Sequence, residues 1–152
     1  MFITPRRGAV PPPPEGQVIS SSTFSATDGD AYEQRLAAPF LDLADLGGGR
    51  RILDPGCGAG SLTRALAERF DVSRIVGLDA SDAYIDHACR HISDPRIAFR
   101  VGDACAMPFP DGSFDHVLSM LVLPFVPNTA GAVGEMRRVA RGGGVVAAAS
   151  WD

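Results

Sequence analysis

The feature that most constrains this chain is an alternation. Short apolar runs recur at residues 51–54, 74–79, 97–101, 114–121 and 145–150, and stretches of helical periodicity separate all but the third and fourth. Parallel strands need a long crossover, and a helix is the usual one. Strands spaced in this way predict an α/β fold in which helices cover both faces of a parallel sheet. Right-handed crossovers leave few topologies, so the expectation is a Rossmann-like, doubly wound parallel sheet of about five strands in the order 3-2-1-4-5.

The helices are read from their apolar faces. Leu36, Phe40, Leu43 and Leu46 recur at helical spacing before the first strand, with Pro39 as an expected kink and glycines 47–49 as the stop. Ala59, Leu62, Leu66 and Phe70 mark the next helix. Ser81 caps a third carrying Ile85, Ala88 and Ile92, and Asn128 caps a fourth carrying Val133, Met136 and Ala140. Residues 1–27 differ, with a proline run at 11–14 and a serine run at 20–22. Such a segment cannot continue a helix or offset its ordering by burial, so it reads as a flexible arm ahead of one domain at 28–152. The fifth strand, at or near a sheet edge, is expected to be open to pairing with a second copy, a homodimer contact.

Composition removes several classes. A hydrophobic fraction of 45% over 152 residues is enough for one core, and a net charge of -4 gives no broad basic footprint for nucleic acid. Arg137, Arg138 and Arg141 read as cations complementing a helix end. The cysteines, Cys57, Cys89 and Cys105, are odd in number and have no CxxC spacing. They point away from a disulfide framework and towards a reducing cytoplasm. No run reaches the ~18 apolar residues of a membrane span, and no apolar stretch follows Arg6 and Arg7 as a secretory signal requires.

Ligands of such sheets bind beyond the carboxyl ends of the strands, which places the chemistry in the loops after Asp54, Asp79, Asp103 and Ser119. The first loop reads Asp54-Pro55-Gly56-Cys57-Gly58-Ala59-Gly60. Its glycines permit a sharp turn and close approach of a ligand to the backbone. The spacing is GxGxG, whereas a dinucleotide fingerprint is GxGxxG. Asp54 directly before the loop would repel a pyrophosphate and attract a cationic ligand end, such as a sulfonium or an α-amino group. Asp79 ends the second strand, where an acid accepts hydrogen bonds from two ribose hydroxyls; an acid capping the next helix is the alternative, a cap that Ser81 already supplies. Gly102-Asp103-Ala104 ends the third, where a carboxylate beside a backbone N–H can read an adenine edge; a plain turn acid is the alternative. His116 is read as a solvated or packing residue. His87 and His91 stand four apart on a helix without a third ligand, so no metal is expected. Cys57 has no base in view and reads as a small packing residue.

Together, ILDPGCGAG, VGLDAS, VGDACAMPFPDGSFDHVLS and EMRRVARGGG resemble class I S-adenosylmethionine-dependent methyltransferases, closest to the branch typified by ubiquinone and menaquinone biosynthesis enzymes. The resemblance covers about residues 30–152. It implies that Asp54 and the backbone of Gly56, Cys57, Gly58 and Gly60 hold the methionine end of S-adenosyl-L-methionine. Asp79, with Ala80 beside it, would hold the ribose, and Asp103 with Ala104 the adenine. The backbone around Ser119 would face the methionine amino group. Tyr32 looks like a tyrosine that some members place over the cofactor. Differences from the family are Pro55 in the loop, Pro124 after the fourth strand, Gly142 in place of a proline, a shorter segment after Tyr32, and the absence of strands six and seven. The implied activity is methyl transfer to a small-molecule acceptor. The alternatives are a domain that binds cofactor without catalysis and an NAD-dependent oxidoreductase, which the GxGxG spacing and Asp54 disfavour.

Overall fold

The computed structural model describes residues 2–3, 26–44, 46–47 and 51–150, and side chains from Glu33 onward within these. Within them the chain forms one six-stranded sheet in the order β1-β6-β5-β2-β3-β4. The strands are β1 (Phe2–Ile3), β2 (Arg51–Pro55), β3 (Arg74–Asp79), β4 (Ile97–Val101), β5 (Phe114–Met120) and β6 (Ala140–Ala149). Every neighbouring pair is parallel. The strands foreseen from sequence thus take the 3-2-1-4-5 order, as β4-β3-β2-β5-β6, and β1 adds a two-residue pairing outside β6 at Ala148 and Ala149. Phe2–Ile3 is therefore strand, inside the span read as an arm; residues 4–25 of that span lie outside the described residues.

A period of two builds the two faces. Ile52, Ile75, Leu118, Ala147 and Ala149 turn to one side, against Leu36, Phe40 and Leu41 of α1 (Ala26–Ala44) and Leu62 and Leu66 of α2 (Ser61–Arg69). Leu53, Val76, Val117 and Ala148 turn to the other, against Ala132, Met136 and Val139 of α4 (Thr129–Val139). α3 (Asp82–His91) lies against β3 and β4 and buries Ile85 and Ala88. Strands apolar on both faces are what a sheet covered on both sides requires.

Two elements depart from expectation. The α1 stripe runs Leu36, Ala37, Phe40, Leu41 and Ala44, while Leu43 is 55% exposed. Seven residues fall about 20° short of two turns, so Leu43 lands just outside the Leu36 edge of the stripe, and small Ala37 and Ala44 fill the face instead. Pro39 sits inside α1, which continues through it. Of the expected glycine stop, residues 48 and 49 lie outside the described residues.

The last strand begins at Ala140, not at Val145. Phe114 pairs with Ala140 and His116 with Val145, so β6 carries a bulge in between. Gly143 there has φ 79°. A Cβ on Gly144 would lie 2.2 Å from the Asp115 carbonyl oxygen. Only glycine allows that approach. Ala140 therefore closes α4 and opens the strand, where a helical inward role was expected.

Candidate functional site

Because all strands run one way, the loops after Pro55, Asp79, Val101 and Met120 meet at one edge of the sheet. The glycine loop is fixed there by backbone bonds: Gly56 N–H and Cys57 N–H both donate to the Leu78 carbonyl, at 2.6 and 3.1 Å. Gly56 has φ 76°, and a Cβ on it would lie 2.3 Å from Val122 Cγ2. Residue 56 must be glycine because the segment after β5 packs directly on it.

Pro55 is accommodated by the same geometry. The N–H and C=O of one strand residue point to the same side. Gly56 donates towards β3, so the alternation turns Pro55 towards β5. Register pairing of β2 with β5 is confined to Ile52–His116 and Leu53–Val117. No ladder donor is needed at Pro55, and its carbonyl accepts the Ser119 hydroxyl at 2.9 Å. Ser119 is buried, so its side chain braces β5 to β2. Next along the chain, Leu121 has φ 64°, unusual for a branched residue, and its N–H donates to the Ala149 carbonyl at 2.8 Å.

Asp79 is the centre of the edge. Its Oδ2 accepts the Gly58 N–H and its Oδ1 accepts the Ser81 N–H, each at 2.9 Å. Each carboxylate oxygen retains a further lone pair. Ala80, between Asp79 and Ser81, is exposed. Ser81 also caps α3, its hydroxyl accepting the Tyr84 N–H. The next loop is joined to Asp79 through its main chain, Gly102 N–H donating to the Asp79 carbonyl at 2.8 Å. Asp103 is exposed and makes a turn, Oδ1 accepting the Cys105 N–H at 2.7 Å, with Ala104 between them half-buried.

Asp54 lies beneath the loop, 1% exposed. Its Oδ2 accepts the Thr63 hydroxyl at 2.6 Å, and the Thr63 backbone N–H also bonds to the carboxylate. Thr63 is the third residue of α2, whose N-cap, Gly60, supplies no side-chain bond. Asp54 therefore supplies the cap from the strand side. Its Oδ1 is buried without a hydrogen-bond partner. Burial is the main cause that pushes its pKa up to about 7; the neighbouring carboxylates Glu33 and Asp79 push the same way, and the Thr63 bonds oppose them. Burial likewise pushes the Cys57 thiol up, with the same acids contributing, which leaves it a protonated packing group.

Sequence reading missed two residues. Glu33 of α1 is half-buried, and its Oε1 lies 3.9 Å from where a Gly58 Cβ would stand. It sits one turn before buried Ala37, so an acid on an apolar stripe was the signal available. Arg138 lies in the last turn of α4, as read, and is also a clamp. It donates to the carbonyls of Phe109 and Met107 at 2.8 and 3.0 Å and pairs with Asp111 and Glu135. Glu135 in turn accepts the Met107 N–H at 2.8 Å. The pair ties α4 to the loop that follows β4.

Other residues stand apart from this edge. His116 is in the amino-terminal half of β5, its Nδ1 accepting the Val145 N–H at 3.1 Å. His87 and His91 stack on each other at 4.0 Å. Among the described residues no three His, Cys, Asp or Glu side chains gather as a metal group, and no helix is long and apolar enough to cross a membrane. The Tyr32 side chain lies outside the described residues.

Comparison with known proteins agrees with this layout. The methyltransferase domain family model matches residues 53–148. The chain is 35% identical to a sterol 24-C-methyltransferase of Schizosaccharomyces pombe over 81% of its own length and 34% of the relative's. It is 36% identical to the 2-methyl-6-phytyl-1,4-hydroquinone methyltransferase of Synechocystis over 68% of its length and 33% of the relative's. It thus spans about a third of these relatives. A solved structure from Methanococcus maripaludis, assigned as an S-adenosyl-L-methionine-dependent methyltransferase, superposes with a TM-score of 0.70 at 28% identity, covering 82% of this chain and 62% of that one. By fold, loop and sequence, this chain belongs to the methyltransferase domain family, whose cofactor is S-adenosyl-L-methionine.

Proposed function

We propose that this chain binds S-adenosyl-L-methionine at the carboxyl edge of its sheet and supports methyl transfer to a small apolar acceptor. The observation that carries the reading is Asp79, held by the Gly58 and Ser81 N–H groups with acceptor capacity left for two hydroxyls. In this reading Asp79 and Ala80 take the ribose, and Asp103 with Ala104 takes the adenine. The backbone of Gly56, Cys57, Gly58 and Gly60 takes the methionine end, backed by Asp54. Ser119 contributes by holding Pro55, and with it the mouth of the loop. The buried, unpartnered Asp54 Oδ1 fits a cationic ligand, since an uncompensated carboxylate in a dry site is costly until a positive charge arrives.

When bound, the cofactor supplies an electrophilic methyl on a good leaving group. The chain's own residues then have to orient and to exclude water. Leu121 and Val122 close the β5 side of the loop, and the Arg138–Glu135 pair fixes the loop after β4. An apolar acceptor is supported by two observations. Phe125, in the turn Leu123–Phe125 after β5, is 62% exposed beside this edge. The two relatives described above are named for a sterol and a phytyl hydroquinone. Cys57, Cys89 and Cys105 are all free thiols, which supports a reducing compartment.

The test is transfer of labelled methyl from S-adenosyl-L-methionine to a sterol and to a prenylated hydroquinone, on the native chain and on Asp79→Ala. Transfer by the native chain that is lost in the variant supports the proposal. Cofactor binding with no transfer to either acceptor favours a domain that binds without catalysis. That second reading is favoured by the position of His116, which lies away from the edge with Nδ1 already engaged.

A further inference from the structure

The methyltransferase reading assigns α1 only Tyr32, yet α1 also places a carboxylate at the glycine loop. Glu33 lies on the helix face that also carries Ala37, Phe40 and Ala44, all buried, so the packing of that face fixes where the acid goes. Its Oε1 is 3.9 Å from the position of a Gly58 Cβ. Gly58 is also the residue whose N–H binds Asp79 Oδ2. Beneath the same loop is Asp54, with Oδ1 buried and unpartnered. Three carboxylates thus surround Gly56–Gly58, and one of them keeps a bare oxygen in a dry place. Such an arrangement raises the energy of the empty site and lowers it for a cation.

The order of groups along the ligand says which cation. In S-adenosyl-L-methionine the sulfonium lies between the ribose and the amino-acid chain. In the site, Gly58 lies between Asp79, assigned to the ribose, and the Asp54-backed turn, assigned to the methionine end. The acid over Gly58 therefore stands at the sulfonium's place along the ligand.

We propose that Glu33 is a specificity-determining residue that reads the sulfonium charge, so that the site favours the charged methyl donor over its neutral thioether product. The inference rests on the proposed cofactor reading. Methyl transfer moves the methyl to the acceptor and leaves its bonding pair on sulfur, which becomes neutral. At that moment the attraction to Glu33 is lost, while the contacts of Asp79 and of the amino group persist. Glu33 thus biases the site towards loading donor and releasing product.

The experiment is calorimetry with S-adenosyl-L-methionine and with S-adenosylhomocysteine, on the native chain, Glu33→Gln and Glu33→Asp. Glu33→Gln is expected to weaken the donor roughly five- to tenfold, the size of one partly screened charge contact, and to change the thioether by less than about twofold on the same scale. Glu33→Asp should recover part of the preference. Equal weakening of both ligands would place Glu33 at the shared amino group or in packing alone and overturn the proposal, as would no change in either. A native chain that binds neither ligand overturns the cofactor reading itself, and this inference with it. A native chain that binds both and is indifferent to Glu33→Gln overturns only the role of Glu33. Circular dichroism of each variant checks that α1 remains folded.

Discussion

At the scale of single residues, the acids at the sheet edge differ in what they do. Asp79 is a scaffold acid, its oxygens each already holding one N–H. Asp54 is a helix cap that also stores an unmet demand. Its folded pKa, about 7, is above the ordinary 3.8, so its contribution to folding is fully present below about pH 3.8 and is lost as pH rises towards 7. Asp54→Asn removes that titration and keeps an acceptor for Thr63. The variant should exceed the parent in unfolding free energy by about 2–4 kcal/mol at pH 8, with little difference at pH 4. Denaturant titration at the two values checks it, and an equal difference at both would mean that burial of charge is not the cost. Gly56→Ala tests the close approach at the loop. With φ at 76° and Val122 at 2.3 Å, the methyl has no room. A loss of about 2–4 kcal/mol is expected by thermal unfolding, and a stable variant would mean that Val122 moves freely. Legibility at this scale was uneven. Asp54, Asp79 and Asp103 stood out because acids at strand ends break an apolar run. Glu33 was hidden because the eye follows apolar residues along α1, whereas the informative residue was the charged one on the same stripe.

At the scale of elements, what positions the site is a set of joints that pattern alone does not show. The loop after β4 was read as scaffold from Pro110-Asp111-Gly112, yet it is Arg138 on α4 that holds it, through two carbonyls, Asp111 and Glu135. Sequence gave no means of placing Arg138, 31 residues from Met107, against that loop. Arg138→Ala is expected to raise hydrogen exchange at the Met107 amide roughly tenfold while the amides of β2 and β3 stay protected; unchanged exchange would mean the clamp is idle. The joint between β5 and β6 has its own signature. For His116, burial is the main cause that lowers its pKa, with Asp115 opposing it and Arg141 lowering it further. Its Nδ1 accepts the Val145 N–H, and the protonated ring has no acceptor to offer. Its folded value lies below the ordinary 6.5, so its contribution is present above pH 6.5 and is lost as pH falls below it. Between pH 7 and pH 5.5 the native chain should lose about 2–4 °C of melting temperature relative to His116→Gln, a comparison in which the opposite-signed Asp54 titration cancels. The bulge beside His116 was illegible because Gly142, Gly143 and Gly144 carry no side chains for a periodicity to register.

At the scale of the whole molecule, the sheet order was readable because it follows from few rules. Five apolar runs, all but the third and fourth joined by a helix, admit little else once crossovers are right-handed. The pairing of β1 on β6 was not readable, since two residues make no pattern, and the proline and serine runs behind them pointed to coil. The convergence of four loops at one edge is a property of the whole sheet. It turns a common glycine motif into a site with one acid at its centre, one beneath and one above. The most direct test of that account is calorimetry of the native chain with S-adenosyl-L-methionine and with NAD, repeated on Asp79→Ala. The account predicts micromolar-range heat with S-adenosyl-L-methionine, its loss in the variant and none with NAD. Heat with NAD alone, or S-adenosyl-L-methionine binding untouched by Asp79→Ala, would contradict it.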